Sequence, residues 1–183
     1  EITKSDKKMG RDAAGVTHLE DVARTIRDDA FARARAQLPA PQNSLDSLPL
    51  LHIPSFFNYF KFHLAKSIAR VIAANDERVS ALYLFEESAN PDAETEEYLP
   101  QDATIHLLLR VQSNSAALEA FVASLDRVLV SALSELPSRL LNERHSILDV
   151  VAVTELDIEN SAGYAPMLSS IFAPPVRIWS REG

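Results

Sequence analysis

Val79-Ser80-Ala81-Leu82-Tyr83-Leu84-Phe85 is a short apolar run with a polar segment on either side. Two more follow it, Thr104-Ile105-His106-Leu107-Leu108-Leu109 and Leu148-Asp149-Val150-Val151-Ala152-Val153-Thr154. Runs of this length, rich in aromatic and branched side chains, predict strands. Strands are therefore expected over residues 79–85, 103–111 and 147–154, with a last one over 176–179.

Around these runs the apolar spacing changes to that of helices. Leu19, Val22, Ile26, Ala30, Ala34 and Leu38 recur at steps of three and four. Thr17 and Glu20 have capping-box spacing at the front of that stripe, and Pro39 and Pro41 stop it. A second helix is expected over residues 55–74, with Phe57, Phe60, Leu64, Ile68, Val71 and Ile72 on one face. Phe56, Tyr59 and Phe62 lie partly off this face. Its first half is thus apolar around much of its girth, which predicts burial on two sides, by the first helix or by a second subunit. A long helix over 115–136 carries Leu118, Val122, Leu125, Leu129 and Leu133, with Pro137 after it. A short one is expected over 166–172. This order predicts an α/β (α+β) fold: a mixed sheet of about four strands flanked by helices, with an N-terminal helical extension. Residues 1–16 are expected to be a flexible tail, 17–49 the first helix and a linker, and 50–183 the main domain.

Composition narrows the function classes. The 183 residues are 46% hydrophobic and 24% charged, which is ordinary globular usage and enough chain for a full core. The sequence has no cysteine, which excludes disulfides, thiol catalysis and cysteine-based metal centres. No apolar run nears the roughly 20 residues of a membrane span, and no leader-like segment opens the sequence. The expectation is a cytoplasmic protein with no membrane contact. A net charge of -8 repels nucleic-acid phosphates, so no nucleic-acid partner is expected. Arg24, Arg27, Arg33 and Arg35 read as a solvated helix face.

Glycine is scarce where phosphate chemistry would need it. The four are Gly10, Gly15, Gly163 and Gly183. Phosphate-cradling loops require glycine for their sharp turns and close backbone approach. A Walker loop, a dinucleotide fingerprint and a serine elbow are all excluded on that ground. The five histidines, His18, His52, His63, His106 and His145, form no spaced pair on one helix or strand. They are expected to be surface or satisfied core residues.

The order helix, strand, acidic loop, strand, long helix, strand, short helix, strand resembles the small nucleotidyltransferases of the DNA polymerase β-like superfamily. The three quoted runs carry the likeness, together with Leu168-Ser169-Ser170-Ile171-Phe172 and Val176-Arg177-Ile178-Trp179, so it covers residues 56–180. The resemblance implies a nucleotidyltransferase-like sheet. It also implies a glycine-serine turn after the first strand, paired acids opening the second and a third acid on the next. In the family those acids hold two divalent metals that clamp the triphosphate and activate the attacking hydroxyl.

Here Glu86 and Glu87 stand at the turn, Thr104 and His106 at the paired acids, and Asp149 at the third. Threonine is a poor magnesium ligand, neutral histidine prefers softer metals, and one carboxylate cannot hold two metals. Asp102 could slide into register, but its partner would then be Thr104. No catalytic residue, metal site or cofactor is therefore expected.

Between Arg78 and Arg110 there is no lysine or arginine, while Glu86, Glu87, Asp92, Glu94, Glu96, Glu97 and Asp102 supply seven acids. This segment, residues 86–102, is read as a solvated loop, or else as a cation site or a docking surface for a basic partner. The functional expectation is a non-catalytic domain acting in protein binding or dimerisation. Its candidate contacts are Phe56, Phe57, Tyr59, Phe60 and Phe62, or the acidic loop. The alternative is a divergent nucleotide- or metal-binding enzyme using His106 and Asp149, with Glu87 as a third group. A histidine oriented by a carboxylate can act as a general base.

Overall fold

Ala23, Ile26, Ala30 and Ala34 decide how the first helix packs. All four are buried on one face of α1 (Lys4–Ala36). The small size of the three alanines lets α1 lie close against α2 (Pro54–Asn75). Phe31 adds a stacked contact, its ring 4.4 Å from Phe60 and 6.2 Å from Phe56 between centroids. A computed structural model describes residues 4–38, 51, 53–85, 103–134, 145–171 and 174–183 of the chain.

Four strands form one mixed sheet in the order β3-β2-β1-β4. They are β1 (Val79–Leu84), β2 (Ile105–Val111), β3 (Leu148–Thr154) and β4 (Val176–Ser180). β1 runs antiparallel to β2 and β4, and β2 runs parallel to β3. A parallel pair needs a crossover connection, and α3 (Ala116–Ala132) lies within it. Ser115 caps α3 by accepting from the Leu118 N–H, and the Arg78 guanidinium donates to the same hydroxyl at 2.7 Å. At its far end the Ala132 carbonyl, which has no intrahelical partner, accepts from Arg27 of α1 at 2.9 Å.

Strand alternation sorts the side chains into two layers. Ile105, Leu107, Leu109 and Val111 enter the large core with the helices α1, α2 and α3. A register shift between Val79 and Ala81 lets Val79 share that side with Leu82 and Leu84. The opposite face carries Tyr83, Leu108, Val151 and Val153. A smaller layer covers them, made of α4 (Glu155–Asn160) and a 3-10 turn, Ala165–Ser169. The molecule is thus a mixed α/β structure, a four-stranded sheet flanked by helices. No helix among the described residues is long and apolar enough to cross a membrane.

Several expectations need correction. The helix does not begin at Thr17: the backbone is helical from Lys4, so Thr17 is not its cap. Lysine, alanine and methionine favour helix, and two glycines at about 1 kcal/mol each do not break it. α1, expected as an extension, shares one core with the sheet. The expected short helix over 166–172 is the 3-10 turn, and α4 was not anticipated. Phe56, Phe57 and Phe60 are buried, at 0%, 3% and 1% exposure, because α1 covers the second apolar face of α2. They offer no docking surface, and of that aromatic set Tyr59 and Phe62 are half-buried. Of the four arginines expected on a solvated face of α1, Arg24 and Arg33 are exposed, paired to Glu20 and Asp21 and to Asp29, whereas Arg27 and Arg35 are part-buried and Arg27 packs its guanidinium on the end of α3.

Replacing Phe60 with alanine removes the stacked contact that ties α1 to α2. We expect Phe60→Ala to lower stability by about 3–5 kcal/mol, read as a shift of the urea midpoint. A surface aromatic would cost far less.

Candidate functional site

The register of β2 against β3 sets Ile105 beside Leu148 and His106 beside Asp149. Both His106 and Asp149 project from the face turned away from the large core, because their neighbours Ile105, Leu107 and Leu148 enter that core. His106 Nδ1 lies 2.8 Å from Asp149 Oδ2. A carboxylate only accepts, so Nδ1 carries the proton in this bond and the imidazole plane is fixed by it. Both side chains reach solvent, at 36% and 57% exposure. The Phe85 ring closes one side, tilted, with its centroid 5.7 Å from that of His106.

Thr104 has the same strand parity as His106 but is buried. The three described positions of the implied metal site therefore hold a buried hydroxyl, an imidazole, and a carboxylate bonded to that imidazole. Glu86, Glu87 and the rest of the acidic segment through Asp102 lie outside the described residues. Among the described residues no group of three histidine, aspartate or glutamate side chains could hold a metal ion. His63, on α2, instead bonds Gln37 at 2.7 Å.

A second polar pair stands further along the same face. Arg110 donates from Nε and Nη2 to the two oxygens of Glu155, both at 2.8 Å. This bidentate geometry ties β2 to the start of α4. Asp157 closes a capping box with Thr154, its Oδ2 accepting from the Thr154 N–H at 2.9 Å while its own N–H donates to the Thr154 hydroxyl.

Sequence reasoning missed one feature altogether. On the large-core side, a groove of about 410 Å³ opens between α3 and β3. Leu118, Val122, Ala123, Val150 and Ala152 line it, with Asp126 at one end. Asp126 Oδ1 accepts from the N–H groups of Ile147 and Leu148 at 2.8 and 2.9 Å, which fixes where β3 begins. The signal that could have pointed to the groove is the small size of Ala123 and Ala152, which leaves volume unfilled. Comparison with family models, with curated proteins and with solved structures finds no match.

The polar pairs predict an acid-sensitive fold. Hydrogen bonds from Arg78 hold the Asp76 carboxyl below its usual range, Arg110 does the same to Glu155, and the Thr154 N–H to Asp157. Burial, then the nearby charges of Arg33 and Lys66, push His63 below its ordinary value. Each group is more easily deprotonated in the folded state. Its contribution is present above its unfolded pKa and is lost as pH falls through the folded one. Urea-melt stability should therefore begin to fall as pH drops below about 6.5 and fall further below about 4. In an NMR titration, Arg110→Ala should move the Glu155 carboxyl transition to higher pH.

Proposed function

We propose that this chain is a nucleotidyltransferase-like domain that transfers no nucleotide and works by binding a partner protein. The observation that carries the reading is the 2.8 Å bond between His106 and Asp149. Two-metal transfer needs several carboxylates converging on the ions. Asp149 is the one residue that matches the family's acids, and its carboxylate is taken by an imidazole. Thr104, at another acid position, is turned out of solvent. On this reading the His106–Asp149 bond between β2 and β3 stands in for a metal bridge.

A second reading is favoured by the same bond. An imidazole oriented through Nδ1 by a carboxylate is the arrangement of a general base. The two readings separate by calorimetry. Titrating magnesium and then magnesium-ATP into the protein should give no heat beyond dilution. A saturable heat that His106→Ala abolishes would put the enzyme reading in its place. Under the binding reading Asp149→Asn changes stability by no more than about 1 kcal/mol, as expected of a solvent-exposed pair.

A further inference from the structure

β3 is an edge strand of the sheet, and both ends of its outer side are already occupied. The Ile105 N–H donates to the Ile147 carbonyl at 2.7 Å. In the parallel register that follows, Asp149, Val151 and Val153 turn their backbone groups toward β2. Leu148, Val150, Ala152 and Thr154 turn theirs outward. Asp126 takes the Leu148 N–H, and the Ser146 hydroxyl lies 3.0 Å from the Leu148 carbonyl. Asp157 takes the Thr154 N–H. Two residues remain, Val150 and Ala152, whose outward N–H and C=O groups have no partner among the described residues.

The groove lies beside those two residues. Leu118, Val122, Val150 and Ala152 make its apolar wall, Glu119 also lines it, and among the described residues no lysine or arginine does. On the opposite face of the same edge the Asp149 carboxylate is more than half exposed.

We propose that this edge and groove bind an extended segment of a partner protein in which apolar and basic residues alternate, added to β3 as a further strand. The proposal deepens the partner-binding reading and rests on it. Backbone groups of Val150 and Ala152 supply the ladder, and the groove supplies side-chain selection. Successive side chains of an added strand point to opposite faces. Every second one enters the apolar groove, and those between stand beside Asp149. Asp149 and the chain's net charge of -8 favour lysine or arginine there, and Glu119 beside the groove adds to the attraction for a basic segment. The same charges disfavour a second copy of this edge, which would set these carboxylates against their own images.

The test is fluorescence anisotropy with a labelled hexapeptide of alternating valine and lysine, and its valine–glutamate counterpart as control. The valine–lysine peptide should bind saturably and weaken with salt, and the valine–glutamate peptide should not bind. Ala152→Pro removes an outward N–H that takes no part in the β2–β3 ladder, so the sheet tolerates it. Glu119→Arg reverses the charge of an exposed groove residue and leaves the core untouched. Each should weaken binding about tenfold or more, on the scale of losing one hydrogen bond or one charge contact.

Absence of saturable binding, or equal binding by wild type and both variants, overturns the proposal. So does equal binding of the two peptides. A wild-type dimer in light scattering that Ala152→Pro converts to monomer also overturns it, since a second copy would then hold the edge. Failure here with a silent nucleotide titration leaves the non-catalytic reading standing. A nucleotide heat removes that reading, whatever the peptide does.

Discussion

Parallel strands cannot be joined by a tight turn, so β2 and β3 need a crossover, and α3 lies in it. Much of the molecule follows from that pairing. It places α3 over the sheet, where Leu118, Leu125 and Leu129 enter the core. It calls for an anchor at the start of β3, which Asp126 provides by accepting two backbone N–H groups. It sets His106 opposite Asp149. It also puts β3 at the edge of the sheet, with α3 beside it and a groove between them.

The two faces of the sheet are stabilised differently. Where α1 meets α2, the large core is closed by small and aromatic residues. Ala23, Ala30 and Ala34 bring α1 close, and Phe31, Phe56 and Phe60 fill the seam. The opposite face has a short covering layer, and polar bridges accompany it. His106–Asp149 ties β2 to β3, and Arg110–Glu155 ties β2 to α4. Charge-assisted bonds of this kind fix geometry as much as they add stability, since partly exposed pairs contribute little each. Carboxylates at Glu155 and Asp157 are therefore structural members of this face.

Two carboxylates that face each other across a strand pair repel unless a cation neutralises them. Here an imidazole faces the Asp149 carboxylate across β2 and β3, and the pair meets in a hydrogen bond of 2.8 Å.

Local pattern was enough to read much of this architecture. Four strands follow from short apolar runs, and the stripes of α1, α2 and α3 from three-to-four spacings, because such patterns reflect which side chains are buried. The chance that His106 and Asp149 meet came from the family resemblance, which sets their two strands side by side. Other features were not legible. Lys4 to Val16 looked polar and glycine-bearing, and intrinsic helix preference is too weak a signal to outvote that impression. α4 has six residues, too few to show a stripe, although Thr154 and Asp157 stand at capping distance. Whether Phe56 and Phe60 were core or surface depended on α1, which lies across the helix seam and not beside them in sequence. The groove, the edge groups of Val150 and Ala152 that have no partner among the described residues, and the role of Asp126 came from tertiary structure alone. They depend on strand order and on where a crossover helix comes to rest, and those are settled by contacts between residues far apart in the chain.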